Sequence, residues 1–297
     1  MNTPKLVNYQ VYNPDIKERE ILDCTTRGNV IRFYLGKTGE QWGDDWSDPF
    51  DNAGTVYMRY VGATVDMYVP YNDVILTAMD VSYQYYSGFS KEQMRDGCFP
   101  CAIIVPEKIQ QNFCDLTFEK CQGGADVHKY YCGRTLFLKD VPDSAEPEIS
   151  RATVVNKDIK QREIIDCTIR GNVIHCYLGK NGTQTGEGWS ERNYEEYAET
   201  VDEKYVGAVK DIYVPYDDII LTPADYGDWR CRCEYSKDDM KDRKVPCFII
   251  VPAKTYVDEY ESNSFDRYLE NPDVRKYYFG DVILNKLNRI NNKLASV

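Results

Sequence analysis

The chain has 297 residues, of which 42% are hydrophobic, and a formal net charge of -12. This length suits two domains that each bury a core, and the hydrophobic content argues against a largely disordered chain. The negative charge argues against direct binding to nucleic acid or to an anionic membrane, because neutralising phosphates requires clustered Lys and Arg side chains. A basic protein partner suits the charge better.

The sequence predicts a cytoplasmic protein with free thiols. No stretch reaches the ~18 consecutive apolar residues that cross a bilayer, and residues 1–5 lack the apolar core of a signal peptide. The eleven cysteines are odd in number and scattered, which argues against a disulfide framework in a reducing compartment. We therefore expect Cys24, Cys101, Cys167 and Cys247 to be reduced and buried as small hydrophobic residues.

The sequence repeats itself at an offset of 143 residues. Residues 15–25, 27–31 and 34–37 match residues 158–168, 170–174 and 177–180. The match resumes, after a small insertion, between residues 60–63 and 205–208, and it extends to the segments 126–131 and 273–278. This period exceeds that of solenoid repeats. We interpret the chain as a tandem duplication with a first repeat domain at residues 1–140, a linker at 141–152 and a second repeat domain at 153–297.

Strands dominate the predicted elements. In chain order, the β-branched and aromatic runs are residues 20–25, 30–35, 64–69, 74–77 and 102–105. The first two runs flank Gly28 and Asn29, a turn signal that predicts a hairpin. The last run ends at Pro106, as expected for a buried strand.

Helices are predicted to be few and short. The candidates are residues 53–61 capped by Asn52, residues 91–95 after Ser90, residues 191–205, and an amphipathic C-terminal helix over residues 281–293. The predicted fold class is therefore α+β and β-rich. It consists of two tandem homologous mixed-β domains, each with one or two short covering helices.

An acidic, aromatic segment distinguishes the first repeat. Its aromatic and acidic residues are Trp42, Asp44, Asp45, Trp46, Asp48, Phe50 and Asp51. Large aromatic area combined with negative charge suits contact with a basic protein, so these residues are the predicted partner-binding site. The second repeat has lost the acidic equivalents of Asp45 and Asp51.

The same segment has a second interpretation as a cation site. Asp44, Asp45, Asp48 and Asp51 could wrap Ca²⁺, which takes six to eight oxygen ligands. Their spacing is not that of an EF-hand loop, and no other cofactor is expected. A third interpretation is a solvated acidic loop anchored by Trp46.

Other catalytic chemistries find little support. Cys98 and Cys101 have redox-type spacing, but the second repeat has Lys244 in place of Cys98. His128 and His175 each lack a matching histidine in the other repeat, which argues against a histidine triad. Phosphate-loop, dinucleotide-binding and nucleophile-elbow motifs are absent from the sequence.

Residues 34–36, 42–49 and 52–54 together resemble a family of small bacteriophage and prophage proteins of Gram-positive bacteria, marked by a Trp-Gly-Asp-Asp-Trp-x-Asp-Pro run followed by Asn-Ala-Gly. A similar pattern recurs at residues 237–247. The resemblance covers most of each repeat. It implies a phage accessory protein and no assigned active site.

Three functional hypotheses follow. The first is a phage-encoded anti-defence protein that binds and stoichiometrically inhibits a host immune effector, such as a CRISPR nuclease or another nuclease complex, in the cytoplasm of the infected bacterium. Its partner would be a host protein, basic or nucleic-acid-binding, with no direct contact to nucleic acid or membrane. The second is a metal-dependent hydrolase of a nucleotide signal or sugar that uses the clustered carboxylates. The third is a virion structural or assembly module.

Overall fold

The computed structural model describes residues 4–39, 56–77, 93–94, 96–142, 146–183, 201–223, 235, 237–255 and 265–283. The chain divides into two compact units, Met1–Ala145 and Glu146–Val297. Each described unit consists of small antiparallel sheets and few short helices, so the β-rich character expected from the sequence is confirmed.

Unit 1 contains a four-stranded and a three-stranded antiparallel sheet. The strands are β1 (Lys5–Val11), β2 (Glu20–Arg27), β3 (Val30–Gly36), β4 (Val61–Tyr68), β5 (Val74–Thr77), β6 (Ala102–Val105) and β7 (His128–Tyr130). Their order is β1-β4-β3-β2 in the larger sheet and β5-β6-β7 in the smaller sheet. Two short helices follow β6, namely α1 (Glu107–Gln110) and α2 (Phe118–Gln122).

The predicted hairpin is confirmed by the pairing of β2 with β3. Gly28 adopts a φ of 59° at the turn, a conformation that costs glycine little because it lacks a Cβ. The amide of Asn29 then donates to the carbonyls of Pro70, Tyr71 and Asp73 at 2.6, 3.0 and 3.0 Å. This side chain therefore fastens the hairpin to the connection between β4 and β5.

A β-bulge in β2 gives the larger sheet two apolar faces. Ile21 pairs with Leu35 and Asp23 pairs with Tyr34, so Leu22 is an extra residue and its side chain turns to the opposite face. There Leu22 joins a small cluster with Val56 and Val61. The main core lies between the two sheets and combines inward residues of both; among them are Ile31, Phe33, Val65, Ile103 and Ile104.

Unit 2 contains the same kinds of sheet. Its strands are β8 (Glu148–Ile149), β9 (Thr153–Val154), β10 (Glu163–Arg170), β11 (Val173–Gly179), β12 (Ala208–Tyr213), β13 (Ile219–Leu221), β14 (Phe248–Val251) and β15 (Arg275–Tyr277). Its described helices include α3 (Lys237–Lys241) and α4 (Phe265–Leu269). The pairing order β8-β12-β11-β10, with β13-β14-β15 in the second sheet, is the order found in unit 1.

The pairing registers agree as well as the strand orders. A bulge between Ile164 and Asp166 stands where unit 1 has one between Ile21 and Asp23. Strands β8 and β9 both pair with β12, and they correspond to the two parts of β1 on either side of its register shift.

Strands β1 and β8, which lie at an edge of the two larger sheets, were not predicted, and the predicted linker is too long. Strand β1 escaped prediction because its residues do not alternate cleanly between apolar and polar. The linker prediction over 141–152 includes β8, whose residues Ile149 and Glu148 pair with Ile212 and Tyr213 inside the sheet of unit 2. Unit 2 accordingly begins at Glu146 rather than at residue 153.

The helix predictions fare less well than the strand predictions. In the predicted helix at residues 53–61, the described part holds only the 3₁₀ turn Met58–Tyr60, and Val61 already starts β4. The predicted helix at 191–205 likewise holds the 3₁₀ turn Glu203–Tyr205 in its described part. In the predicted C-terminal helix, residues 281–283 are not helical, because Val282 forms a β-bridge with Glu163. The remaining residues of these helices, and parts of the one at 91–95, lie outside the described residues.

Close backbone contacts fix the start of β4. A Cβ at Gly36 would overlap the carbonyl oxygen of Tyr60, and a Cβ at Gly62 would come within 2.6 Å of a guanidinium nitrogen of Arg19. Gly179 and Gly207 meet Tyr205 and Arg162 in the same way in unit 2. Glycine is therefore favoured at these positions, where the chain passes close to the 3₁₀ turn and to the loop before β2.

We predict that Gly36→Ala destabilises unit 1 by about 2–4 kcal/mol, because the backbone carbonyl of Tyr60 cannot move aside without shifting β4. Urea unfolding measures the change. Gly123→Ala is the matched control, since Gly123 is already α-helical at φ -74° and its nearest neighbour to a Cβ would lie 3.9 Å away. Equal stability of the two variants would contradict the close-contact account.

Candidate interaction surface

The partner-binding and cation-site residues predicted from the sequence lie outside the described residues. These are Trp42, Asp44, Asp45, Trp46, Asp48, Phe50 and Asp51. The described chain resumes at Val56, four residues after Asn52. The first described surface after that segment is the 3₁₀ turn Met58–Tyr60.

This surface, the aromatic turn, consists of Tyr57, Met58, Arg59 and Tyr60. Tyr57 is extended (φ -68°, ψ 121°), and the Tyr60 N–H donates to its carbonyl at 2.9 Å. The guanidinium carbon of Arg59 lies 4.9 Å from the Tyr57 ring centroid and 4.8 Å from that of Tyr60, within cation–π range of both rings. Met58 is 48% exposed. The turn thus carries the Arg59 guanidinium, in contact with two aromatic rings, beside the exposed side chain of Met58.

The equivalent turn of unit 2 neutralises its own cation. Lys204 lies 2.6 Å from the Asp202 carboxylate and 4.9 Å from the Tyr205 ring centroid. Their hydrogen bond raises the pKa of Lys204 and lowers the pKa of Asp202. Arg59, by contrast, has no acidic partner among the described residues. The two turns therefore share a backbone shape and differ in the charge that they offer.

A second surface element lies beside each turn. In the first loop, residues 11–19, the N–H groups of Tyr12 and Asn13 donate to the Gly62 carbonyl at 2.9 and 3.1 Å. The Asn13 side chain accepts from the Asp15 N–H at 3.0 Å, and Arg19 donates to the Ile16 carbonyl at 2.6 Å. These bonds hold the loop against the strand that follows the aromatic turn.

The second loop, residues 154–162, has the same internal bonds. Val155 and Asn156 donate to the Gly207 carbonyl at 3.0 and 3.1 Å, and Asn156 accepts from the Asp158 N–H at 2.9 Å. Arg162 donates to the carbonyls of Ile159 and Gln161. The bonds account for the Asn and Arg shared by both loops, because the side chains of these residues make them.

A side-chain contact to an aspartate lies on the face of each larger sheet that is turned away from the main core. In unit 1, Arg32 contacts Asp66 through two hydrogen bonds of 2.8 and 3.1 Å. In unit 2, His175 Nδ1 lies 2.6 Å from Asp211 Oδ1. Sequence comparison did not anticipate this His–Asp contact. Its counterpart in unit 1 is an arginine, which does not exchange protons near neutral pH, so the feature common to both units is a side-chain contact with an aspartate of the neighbouring strand.

The thiols follow the predicted pattern only in part. Among the described cysteines, Cys101 and Cys247 are free and buried, as predicted, whereas Cys24 and Cys167 are free but half-buried. The bulge in β2 and its equivalent in β10 place these two at the border of the core. Cys98 is exposed while Cys101 donates to the Tyr130 carbonyl at 3.3 Å, so the Cys-x-x-Cys pair is divided between solvent and core.

No group of three or more potential metal-ligating side chains occurs within the described residues. Within the same residues, no helix is long and apolar enough to cross a membrane.

We predict that native alkylation at pH 8 labels Cys98 and Cys114 rapidly, and Cys101 and Cys176 slowly. The first two thiols are exposed. The hydrogen bond with Cys132 lowers the pKa of Cys101, but the hydrogen bond with Cys24 and burial outweigh it and hold that pKa well above its ordinary value. Burial likewise raises the pKa of Cys176, so the reactive thiolate is disfavoured at both positions. Peptide mass spectrometry against a urea-unfolded control measures the rates. Rapid native labelling of Cys101 or Cys176 would contradict the packing of these cores.

Comparison with protein-family models, with curated proteins and with solved structures finds no match to this chain. The surface must therefore be interpreted from its own residues. The most informative comparison is between the two units of the chain. The turn of unit 1 carries Tyr, Met and Arg at residues 57–59, whereas the equivalent turn of unit 2 carries Asp, Glu and Lys at residues 202–204.

Proposed function

We propose that this chain is a phage-encoded anti-defence protein that binds a host immune effector and inhibits it stoichiometrically. We further propose that its two units are copies of one ancestral domain. The 143-residue sequence offset and the common strand order support the duplication. The resemblance of residues 42–54 to phage proteins supports the phage origin.

One observation carries the binding role: the aromatic turn of unit 1. Tyr, Arg and Met are enriched at protein interfaces, and tyrosine and arginine are enriched among the residues that dominate binding energy. The two tyrosine rings already hold Arg59, so less side-chain entropy is lost when a partner engages it. Met58 adds exposed apolar area beside the cation.

The acidic segment precedes this turn directly in the sequence, and we propose that both belong to one contact. The net charge of -12 would attract a basic or nucleic-acid-binding effector and speed its association. The aromatic turn would then supply the short-range contact that holds the complex together.

The test begins with the full chain as bait in a lysate of the infected host, followed by identification of the retained protein and measurement of its binding and inhibition. We expect Tyr57→Ala combined with Met58→Ala and Arg59→Ala to weaken binding by about a hundredfold or more, as loss of a hot-spot cluster does. The three side chains are exposed or half-buried, so the fold should persist by circular dichroism.

The matched control combines Asp202→Ala, Glu203→Ala and Lys204→Ala at the equivalent turn of unit 2. It should bind and inhibit as the parent chain does. Retention of full binding by the unit 1 variant, or equal losses in both variants, would contradict the assignment of the contact to the aromatic turn.

A further inference from the structure

Three thiols of unit 1 lie in contact inside the main core. The Cys101 thiol is hydrogen-bonded to the thiols of both Cys24 and Cys132. Backbone contacts fix the two partners, since Cys24 Sγ lies 3.6 Å from the Cys101 carbonyl oxygen and Cys132 Sγ donates to the Leu22 carbonyl at 3.2 Å. Cys101 therefore has two neighbouring thiols that are distant from it in sequence.

The Cys-x-x-Cys spacing points to a different partner, Cys98, which the structure keeps apart from this cluster. Cys98 is exposed, whereas Cys101 is only 2% exposed. The Sγ and the backbone N–H of Cys101 both donate to the Tyr130 carbonyl, at 3.3 and 2.8 Å. These two bonds hold Cys101 in the core, where Cys24 and Cys132 lie.

Exposure distinguishes the two neighbours of Cys101. Cys24 is half-buried at the border of the core, while Cys132 is buried at 5% exposure. A soluble disulfide must first meet a sulfur that it can reach, because exchange proceeds by direct attack of one sulfur on another. Cys24 is therefore the sulfur at which exchange begins, and its contact with Cys101 provides the second sulfur.

We propose that Cys24 and Cys101 form a reversible disulfide that links the two sheets of unit 1. Cys24 lies in β2 of the larger sheet, and Cys101 directly precedes β6 of the smaller sheet. Thiols that the fold already holds in contact react without the entropic cost of bringing them together. The inference does not depend on a host partner.

The bridge forms by two exchange steps with glutathione disulfide as the oxidant. The Cys24 thiolate attacks one sulfur of glutathione disulfide, a mixed disulfide forms, and one glutathione thiolate leaves. Cys101 then loses its proton to solvent and attacks the Cys24 sulfur, which releases the second glutathione. The raised pKa of Cys101 makes this second step slow near neutral pH and faster as the pH rises, because the deprotonated sulfur is the nucleophile.

Equilibration of the full chain in buffers of glutathione and glutathione disulfide tests the proposal. Cys98→Ser is the variant to use, because a link between its tryptic peptides 20–27 and 96–108 can only join Cys24 to Cys101. After an acid quench, mass spectrometry should find this link as the main intramolecular disulfide of unit 1, and excess glutathione should remove it. Absence of the link at the most oxidising ratio, or a dominant link from Cys101 to Cys132, would overturn the proposal.

The bridge should also stabilise unit 1. Cys24 and Cys101 are 77 positions apart, so a link between them restricts the unfolded chain. In the same variant, hydrogen exchange of peptides from β3 and β6 in urea should slow on oxidation. Adding Cys24→Ser should remove this slowing, whereas adding Cys114→Ser, at an exposed thiol, should leave it. Slowing that persists without Cys24, or no slowing in the linked chain, would contradict a bridge between the sheets.

Discussion

Close packing of the chain at Gly36 and Gly62 fixes the positions of the aromatic turn and the first loop on the surface of unit 1. A side chain at Gly36 would collide with the carbonyl of the 3₁₀ turn, and a side chain at Gly62 would displace Arg19. With both glycines in place, the Gly62 carbonyl is available to accept two N–H groups from the first loop. The aromatic turn and the first loop are therefore fixed to the same end of β4.

Unit 2 has this constraint at Gly179 and Gly207 but carries different exposed side chains. Asp202 and Lys204 satisfy each other, whereas Arg59 is held by aromatic rings. The two units therefore share a frame and differ in the side chains that they expose. This difference is the reason that we assign the proposed partner contact to unit 1 alone.

Prediction from sequence worked where a local pattern decides the structure. The β2–β3 hairpin, β5 and the run Ala102–Val105 follow from β-branched residues, a glycine turn and burial on both faces. Strand β1 could not be found in this way, because Asn8 adopts a left-handed φ of 52° at its bulge and only pairing with β4 defines it. In the described part of the helix expected at 53–61, Tyr57 is extended, only the 3₁₀ turn Met58–Tyr60 forms, and Val61 belongs to β4.

The site was harder to predict than the fold. Sequence composition drew attention to the acidic segment at residues 42–51, and the described surface next to it proved to carry its own candidate contact. A signal for that contact was present in the sequence: Tyr57, Met58 and Arg59 align with Asp202, Glu203 and Lys204 inside an otherwise well-matched stretch. The exposure of these side chains and the cation–π contacts of Arg59, which separate this difference from neutral drift, depend on three-dimensional structure.

The central claim is that a frame common to both units displays, in the aromatic turn of unit 1, the side chains that supply the short-range part of the proposed contact. Grafting the unit 1 turn onto unit 2, by Asp202→Tyr, Glu203→Met and Lys204→Arg in the full chain, tests this claim most directly. Calorimetric titration with the host protein retained by the parent chain should show the binding stoichiometry rising from one partner per chain toward two. A stoichiometry that remains at one, in a grafted chain with an unchanged fold, would contradict the account.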